Sequence, residues 1–289
     1  MSYVLSGISL GSIYALIALG YTMVYGIAKM LNFAHGDVIM IGGYIVYTAL
    51  STYHFPVWIS IISGMLSCII IGVVIEKVAY KPLRNTSPLT VLITAIGVSY
   101  LLQNIALLIF GSAAKSFTSV VPKEWTIKTS FVTISGETIV TIVVTVIIMI
   151  ALTLFVNKTK TGKAMRAVSE DKGAAQLMGI NVNKTISITF AIGSGLAAVA
   201  AVLLCSTYPL LSPYTGAMPG IKAFTAAVFG GIGSIPGAMI GGIVLGLIEC
   251  LSKAYISSQL SDAIVFAVLI IILLVKPTGL LGKKINEKV

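Results

Sequence analysis

The polar residues best suited to chemistry lie in two short motifs and one long loop. The motif LNFAHGD, residues 31–37, sets Asn32, His35, Gly36 and Asp37 between two apolar runs. An amide, an imidazole and a carboxylate at short spacing offer hydrogen-bond donors and acceptors, so these four residues are candidates for contacting a polar ligand. The alternative is a structural turn, in which Gly36 breaks one helix and Asp37 caps the next. Both interpretations stand at this point.

The second motif, GGIGSIPGAMIGG, runs from Gly230 to Gly242 at the centre of a long apolar stretch. Repeated glycines and a proline cannot propagate one regular helix, so we predict two half-helices that meet in a turn. Either the small residues allow close helix packing, or the turn is re-entrant and its free backbone groups contact a ligand. The candidate contact residues in this motif are Gly230, Gly231, Gly233, Pro236 and Gly237.

The third element is a basic loop, residues 157–184, set between two long apolar runs. It contains six Lys or Arg and only two acidic residues. Asp171 is placed to cap a short helix and Gly179 to close it, and Met165, Val168, Ala175 and Met178 recur at helical spacing. Such a helix either lies at the lipid headgroups or docks a cytoplasmic partner.

Motifs for catalysis are missing from the sequence. Gly162–Lys163 is followed by Ala164 and has no glycine five residues before it, so there is no P-loop. HExxH, CxxC and GxSxG patterns do not occur, and the two histidines lie far apart. We therefore expect no enzyme activity, no metal site and no nucleotide site of the chain's own.

The composition places the chain in a membrane. It is 57% hydrophobic and 10% charged, with a mean hydropathy of +1.03. A soluble domain of 289 residues could not bury so much apolar surface. The three cysteines are far apart in or near apolar runs, and we interpret them as packing residues.

The predicted fold is an all-α polytopic membrane protein, with a single transmembrane domain over residues 1–289. We expect about eight apolar membrane segments, including the broken, re-entrant, glycine-rich one. Five runs have spanning length, and two shorter runs cover residues 38–53 and 262–275. The spanning runs are Tyr3–Ile27, Pro56–Ile75, Leu89–Phe110, Glu137–Val156 and Thr185–Ser206.

Charge predicts which side each loop faces. With the N-terminus outside and the glycine-rich region entering and leaving on the outer face, 14 Lys or Arg fall inside and 5 outside. The basic loop is then cytoplasmic. The acidic residues in the apolar runs, Glu76, Glu137 and Glu249, fall near their ends, which argues against a proton-coupled carrier.

Several stretches resemble a known family. GAAQLMG (Gly173–Gly179) resembles the EAA-x3-G loop of ABC importer permeases, in which a short helix seats in a cleft of the ATPase subunit; Gly173 stands where that motif has Glu. Four other stretches are similar to permeases of branched-chain amino acid importers of the LivH type. They are SGISLGSIYALIALGYTMVYG (residues 6–26), LNFAHGD (31–37), FGGIGSIPGAMIGGIVLG (229–246) and KPTGLLG (276–282).

This resemblance implies half of a translocation path for branched-chain or related amino acids, in a multi-pass permease subunit of a bacterial or archaeal inner membrane. The four residues of LNFAHGD and the five candidate residues of the glycine-rich motif are then candidates for lining that path, where the glycine turn would contact a zwitterionic substrate. It implies as partners a second, similar permease subunit, two cytoplasmic ATPases that use ATP, and an extracytoplasmic substrate-binding protein. The chain itself would need no cofactor. The residues expected to couple to the ATPase are Lys163, Arg166, Asp171, Gly173, Ala174, Ala175 and Gly179.

Two other functions fit the same sequence less well. A secondary carrier for a small polar solute predicts a titratable residue in mid-membrane. A membrane assembly subunit that transports nothing predicts no role for the glycine motif.

Overall fold

The computed structural model of the protein describes residues 2–84, 86–122, 125–129 and 132–282 and is built mainly from helices. The α-helices of these residues are α1 (Ser2–Ala28), α2 (His35–Tyr47), α3 (Val57–Ile75), α4 (Pro88–Phe110), α5 (Gly136–Lys158), α6 (Lys160–Glu170), α7 (Lys172–Leu177), α8 (Val182–Thr207), α9 (Ala217–Gly230), α10 (Ile235–Tyr255) and α11 (Ser261–Val275). A π-helical turn (Thr48–Thr52) extends α2, and another (Glu76–Tyr80) extends α3 towards a 3-10 turn (Lys81–Leu83).

Among the described residues, six helices are long and apolar enough to cross a membrane, which confirms a polytopic all-α protein. All five predicted spanning runs form such helices, namely α1, α3, α4, α5 and α8, and α10 is the sixth. The shorter helices α2, α9 and α11 accompany them. The expected number of about eight membrane segments is not confirmed.

The spans form an inner and an outer group. In the most apolar stretches of α1 and α8, 72% of the residues are buried within the chain, against 17% in α4 and in α5. Helices α1 and α8 therefore form the centre of the bundle. The exposed apolar faces of α4 and α5 are suited to lipid or to another membrane subunit.

Small residues bring the central helices into backbone contact. Helix α10 runs antiparallel to α1, since Gly7 lies against Leu247 and Gly26 against Gly233. A Cβ atom added to Gly11 would lie 2.7 Å from Cα of Ile243, which is too close for any larger residue. Close approach of this kind is how helices associate where no hydrophobic force drives them together.

The basic residues predicted to share one side do meet at one end of the bundle. Lys172 contacts the last turn of α1, and Arg84 hydrogen-bonds Asn183 at the start of α8. We call this end, with α6 and α7, the basic end and the opposite one the outer end. Four lysines of the charge count lie outside the described residues, namely Lys123, Lys283, Lys284 and Lys288.

Four short strands pair at the outer end. β1 (Lys115–Ser116) pairs antiparallel with β4 (Leu210–Leu211), with Lys115 opposite Leu211. β2 (Ile127–Thr129) pairs antiparallel with β3 (Val132–Ile134), with Ile127 opposite Ile134. The first pair ties the segment after α4 to the segment after α8.

The glycine-rich region is a full-depth hairpin. The chain enters it from the outer end after α8, runs to the basic end in α9, turns at residues 231–234 beside Gly26, and returns in α10. The prediction that it enters and leaves on one face is therefore confirmed. Two half-helices were expected, but only α9, with 14 residues, is short; α10 has 21 residues and continues through its glycines.

The KPTGLLG segment closes the end of α9. The backbone N–H of Leu280 donates to the carbonyl of Phe229, and that of Leu281 to the carbonyl of Gly230, each at 2.9 Å. The last carbonyls of a helix have no partner within the helix. The C-terminal segment satisfies them and so holds the glycine turn in place.

Candidate functional site

The basic loop folds into an amphipathic helix, α6. The Oγ1 of Thr159 accepts a hydrogen bond from the backbone N–H of Gly162 at 3.0 Å and so starts the helix. Met165 and Val168 are buried in the main apolar core, whereas Lys163 and Arg166 are exposed. The predicted helical spacing is therefore confirmed for this part of the loop.

The next helix, α7, begins and ends at the predicted residues. The Oδ1 of Asp171 accepts hydrogen bonds from the backbone N–H groups of Gly173 at 2.7 Å and Ala174 at 2.9 Å. Gly179 adopts a φ of +81°, which only glycine adopts readily, and so lets the chain leave the helix. Asp171 and Gly179 thus shape the loop.

Within α7 the structure corrects the expected contact residues. Ala175 was expected to face a partner, but it is 4% exposed and belongs to the chain's own core. Met178 was grouped with the apolar face, but it is 82% exposed. Because α7 has barely two turns, only its Lys172 and Ala175 side seats on the bundle, and its end projects. The projecting apolar pair, Leu177 (90% exposed) and Met178, was missed.

Lys172 fastens α7 to the centre of the bundle. Its Nζ donates a hydrogen bond to the carbonyl oxygen of Ala28 at 3.1 Å. Burial, together with the positive charges of Arg84 and Lys29, lowers the pKa of this ammonium group. The contact satisfies one of the free carbonyls at the end of α1.

The capped-turn interpretation of LNFAHGD is wrong in detail. Gly36 lies within α2 rather than breaking a helix, and an added Cβ atom would collide with the carbonyl oxygen of Gly216. Asp37 does not cap α2; its Oδ1 accepts a hydrogen bond from Nε2 of Gln103 at 2.9 Å, inside the bundle. The motif instead joins α2 to α4 and to the start of α9.

Asn32 and His35 are also buried. The Oδ1 of Asn32 accepts a hydrogen bond from the hydroxyl of Tyr80 at 2.9 Å. The ring of His35 packs edge-on against that of Tyr21, with centroids 4.8 Å apart. Among the described residues, its buried Nε2 has no hydrogen-bond partner. None of these side chains lines either of the two cavities described below.

The glycine turn lies beside the basic loop. Gly231 and Gly233 have φ values of +103° and +97°, Ser234 caps α10 by accepting a hydrogen bond from Gly237, and Pro236 occupies the first turn. Gly230 and Gly237 touch through their backbones. A small cavity of about 80 Å³ has both Gly233 and Arg166 in its wall. Residues proposed for the translocation path and residues proposed for ATPase coupling thus meet at the basic end.

A buried charged cluster near the outer end was missed. The Nζ of Lys222, on α9, lies 2.8 Å from Oε1 of Glu249 and 2.6 Å from Oδ1 of Asp262. Lys253 lies 2.5 Å from the same Glu249 oxygen, and the hydroxyl of Tyr14 donates to Oε2 at 2.8 Å. Glu249 is 1% exposed and Lys222 6%. The formal charges of the two lysines and the two acidic residues sum to zero.

This cluster lines a cavity of about 210 Å³, larger than the one beside Gly233. Tyr14, Lys222 and Glu249 supply its polar wall. Its remaining lining residues are Leu10, Leu204, Tyr208, Thr215, Met218, Pro219 and Lys253. We call this space the outer cavity.

The sequence held a signal for this cluster that was misread. Lys222 was counted as an outer loop charge and Glu249 as the end of an apolar run. Yet Glu249 and Lys253 are four residues apart on one helix, a spacing that favours an ion pair. The packing of α9 on α10 then brings Lys222 to the same carboxylate, and no local pattern reveals that.

Comparisons with known proteins give one consistent result. A family model described as "Branched-chain amino acid transport system / permease component" matches residues 3–273. The chain is 48% identical to the high-affinity branched-chain amino acid transport system permease protein LivH of Salmonella typhimurium, over 98% of this chain and 96% of that protein. It is 45% identical to the corresponding protein BraD of Pseudomonas aeruginosa, over 100% of this chain and 98% of BraD.

A solved structure shares the fold at low sequence identity. It is PsaBC from Streptococcus pneumoniae in complex with a Fab, with a TM-score of 0.50 and 14% identity over 96% of this chain and 93% of that one.

Proposed function

The chain belongs to the family of branched-chain amino acid transport system permease components, and from that membership we propose that it carries branched-chain amino acids into the cell. It is a multi-pass inner-membrane permease subunit of an ABC importer, and ATP hydrolysis belongs to separate subunits. The observation that carries the choice of substrate is the match to LivH of Salmonella typhimurium over nearly the full length of both proteins.

We infer that the working unit contains this chain, a second permease of similar fold, two cytoplasmic ATPases and an extracytoplasmic binding protein. Each permease then forms half of the path. The exposed apolar faces of α4 and α5 and the charged outer cavity are consistent with an assembly larger than this chain. An ABC importer needs ATPase and substrate-binding partners in any case.

The basic end supports a coupling role for α6 and α7. Lys163, Arg166, Gly173 and Ala174 are exposed there, beside the projecting Leu177 and Met178. Apolar side chains that project into water are suited to a partner's cleft. Rotation of α7 by the ATPases would act on α1 through Lys172, and the spans would alternate between two conformations.

Reconstitution tests this proposal. The permease pair and its ATPases are placed in proteoliposomes containing ATP, and the binding protein and radiolabelled leucine are added outside. We expect uptake that requires both ATP and the binding protein and that isoleucine and valine inhibit. Uptake driven by an ion gradient without ATP would instead support a secondary carrier. Inhibition by urea but not by valine would contradict the choice of substrate.

A further inference from the structure

We propose that the outer cavity is a binding site for the zwitterionic head group of the transported amino acid. This inference deepens the proposed function and rests on it. Its volume of about 210 Å³ is below the roughly 300–1,000 Å³ of pockets for drug-sized ligands and is suited to one small amino acid.

The charges of the outer cavity favour a ligand with both signs. Lys222 and Lys253 balance Glu249 and Asp262, so a purely cationic or anionic ligand would leave one charge uncompensated. A zwitterion keeps the cluster neutral. Its ammonium group can replace Lys253 at Glu249, and its carboxylate can pair with the Lys253 that is released and with Lys222.

Lys222 retains hydrogen-bonding capacity for that carboxylate. An ammonium group has three donors. Within the described part of the chain, two of them reach the carboxylates of Glu249 and Asp262. Since its side chain lines the cavity, the third donor is available to a ligand there. The first turn of α9 also borders the cavity at Met218 and Pro219, and the start of a helix favours negative charge.

The outer cavity also has apolar lining suited to an apolar side chain. Leu10, Leu204, Met218 and Pro219 supply this lining in addition to the charged cluster. A branched aliphatic group placed there would leave contact with water, which is favourable, while the head group stays with the charges.

The location of the charged cluster also favours a role in the translocation path over a purely structural role. The side chains of Lys253 and Asp262 at the edge are each 41% exposed. Ionisable residues within membrane segments are costly unless they face protein or water, and they commonly mark substrate paths. Further in, the start of α9 touches Gly36 through Gly216 and Gly220, so the helix that carries Lys222 also packs on the LNFAHGD motif.

Protection from labelling tests the site directly. Met218→Cys, at a position 43% exposed in the cavity wall, is made in a Cys250→Ser background of the intact permease–ATPase complex without binding protein. A membrane-impermeant methanethiosulfonate reagent labels the introduced thiol from outside. We expect leucine at millimolar concentration to slow labelling at least threefold. Leucine amide, which lacks the carboxylate, and 4-methylpentanoate, which lacks the ammonium group, should slow it much less.

Three further variants separate a role in binding from a structural role. Lys222→Gln with Glu249→Gln should abolish protection by leucine, while Lys115→Gln, a cation at the outer end away from the cavity, should retain it. Tyr14→Phe, which removes one buried hydrogen bond to Glu249, should weaken protection and raise the KM for leucine uptake, with only a small fall in melting temperature. The proposal is overturned if leucine does not slow labelling of the Met218→Cys, Cys250→Ser protein. It is also overturned if leucine slows labelling equally in the Lys222, Glu249 double variant.

The failure of this inference differs from failure of the proposed function. Leucine uptake by the parent complex without protection of the introduced thiol would reject the site and leave the importer intact. Absence of branched-chain amino acid uptake by the parent complex would reject the substrate, and protection by another zwitterion would still identify the site.

Discussion

The Nζ of Lys172 lies 3.1 Å from the carbonyl oxygen of Ala28 and so links the short helix α7 to the end of α1. Helix α1 is among the most buried spans, and its partner α10 runs along most of its length and lines the outer cavity. A displacement of α7 therefore has a direct mechanical route to the helix pair beside the outer cavity.

Lys172→Met should loosen this link. A hydrogen bond from a charged group contributes about 1.5–3 kcal/mol, and partial exposure of Lys172 reduces that to about 1 kcal/mol. We expect hydrogen exchange of the α7 amides to rise about fivefold and leucine uptake to fall. Lys163→Met, an exposed lysine on α6, is the matched control. Equal effects of the two variants on exchange would contradict the role of Lys172.

The glycine turn gives a graded prediction. Gly231 and Gly233 both have positive φ, and an alanine at such a position costs about 1–3 kcal/mol. A Cβ atom on Gly231 would also collide with the backbone of Gly282, whereas one on Gly233 would lie 3.7 Å from Gly26. We expect Gly231→Ala to lower the melting temperature clearly more than Gly233→Ala. Ile240→Val, at an exposed position of α10, should change it little, and similar melting temperatures for the two alanine variants would disprove the packing argument.

Much of the fold could be predicted from the sequence because lipid imposes simple rules. Apolar runs of spanning length identified five of the six long helices, and charge asymmetry grouped the basic loops at one end. The length of α10 was misjudged because its glycines were read as breaks. In the structure Gly242 and Gly246 face α1 at backbone distance, and this packing outweighs their poor helix propensity.

The candidate sites were less predictable because they depend on contacts distant in sequence. Asp171 and Gly179 act on their immediate neighbours, so local rules found them. Asp37 bonds Gln103, and Lys222 bonds Glu249, through the packing of separate helices. Alanine is compatible with either an exposed or a buried face, so the sequence does not decide the environment of Ala175. The docking of α7 on the bundle decides it.

Labelling of single cysteines tests the topology. In a Cys250→Ser background, Ala174→Cys lies on α7 and Thr118→Cys follows β1, and both positions are exposed. We expect an impermeant maleimide to label the Thr118→Cys variant in intact cells and the Ala174→Cys variant only after the membrane is permeabilised. The native Cys68 and Cys205 are buried and should stay unlabelled. Labelling of both introduced cysteines from one side would refute the charge-based orientation.

The final prediction concerns how the permease holds its ATPase. Leu177 and Met178 project from α7 at 90% and 82% exposure, whereas Ala175 in the same helix is 4% exposed. Leu177→Glu with Met178→Glu should leave the melting temperature unchanged, because neither side chain packs on the chain itself. Loss of the apolar tip should, however, reduce co-purification of the ATPase and ATP-driven leucine uptake by at least tenfold.

Ala175→Glu should fail differently. It places a carboxylate without a partner in the core, which costs about 3–5 kcal/mol for a buried unpaired charge, so we expect a lower melting temperature and less protein in the membrane. Gln176→Glu, at an exposed position between the two sites, is the control for added charge and should retain stability and most ATPase binding. If the double variant at Leu177 and Met178 retains its ATPase while Ala175→Glu folds normally and loses it, the docking face is the one that α7 turns towards the bundle, and α7 must leave its seat when the ATPase binds.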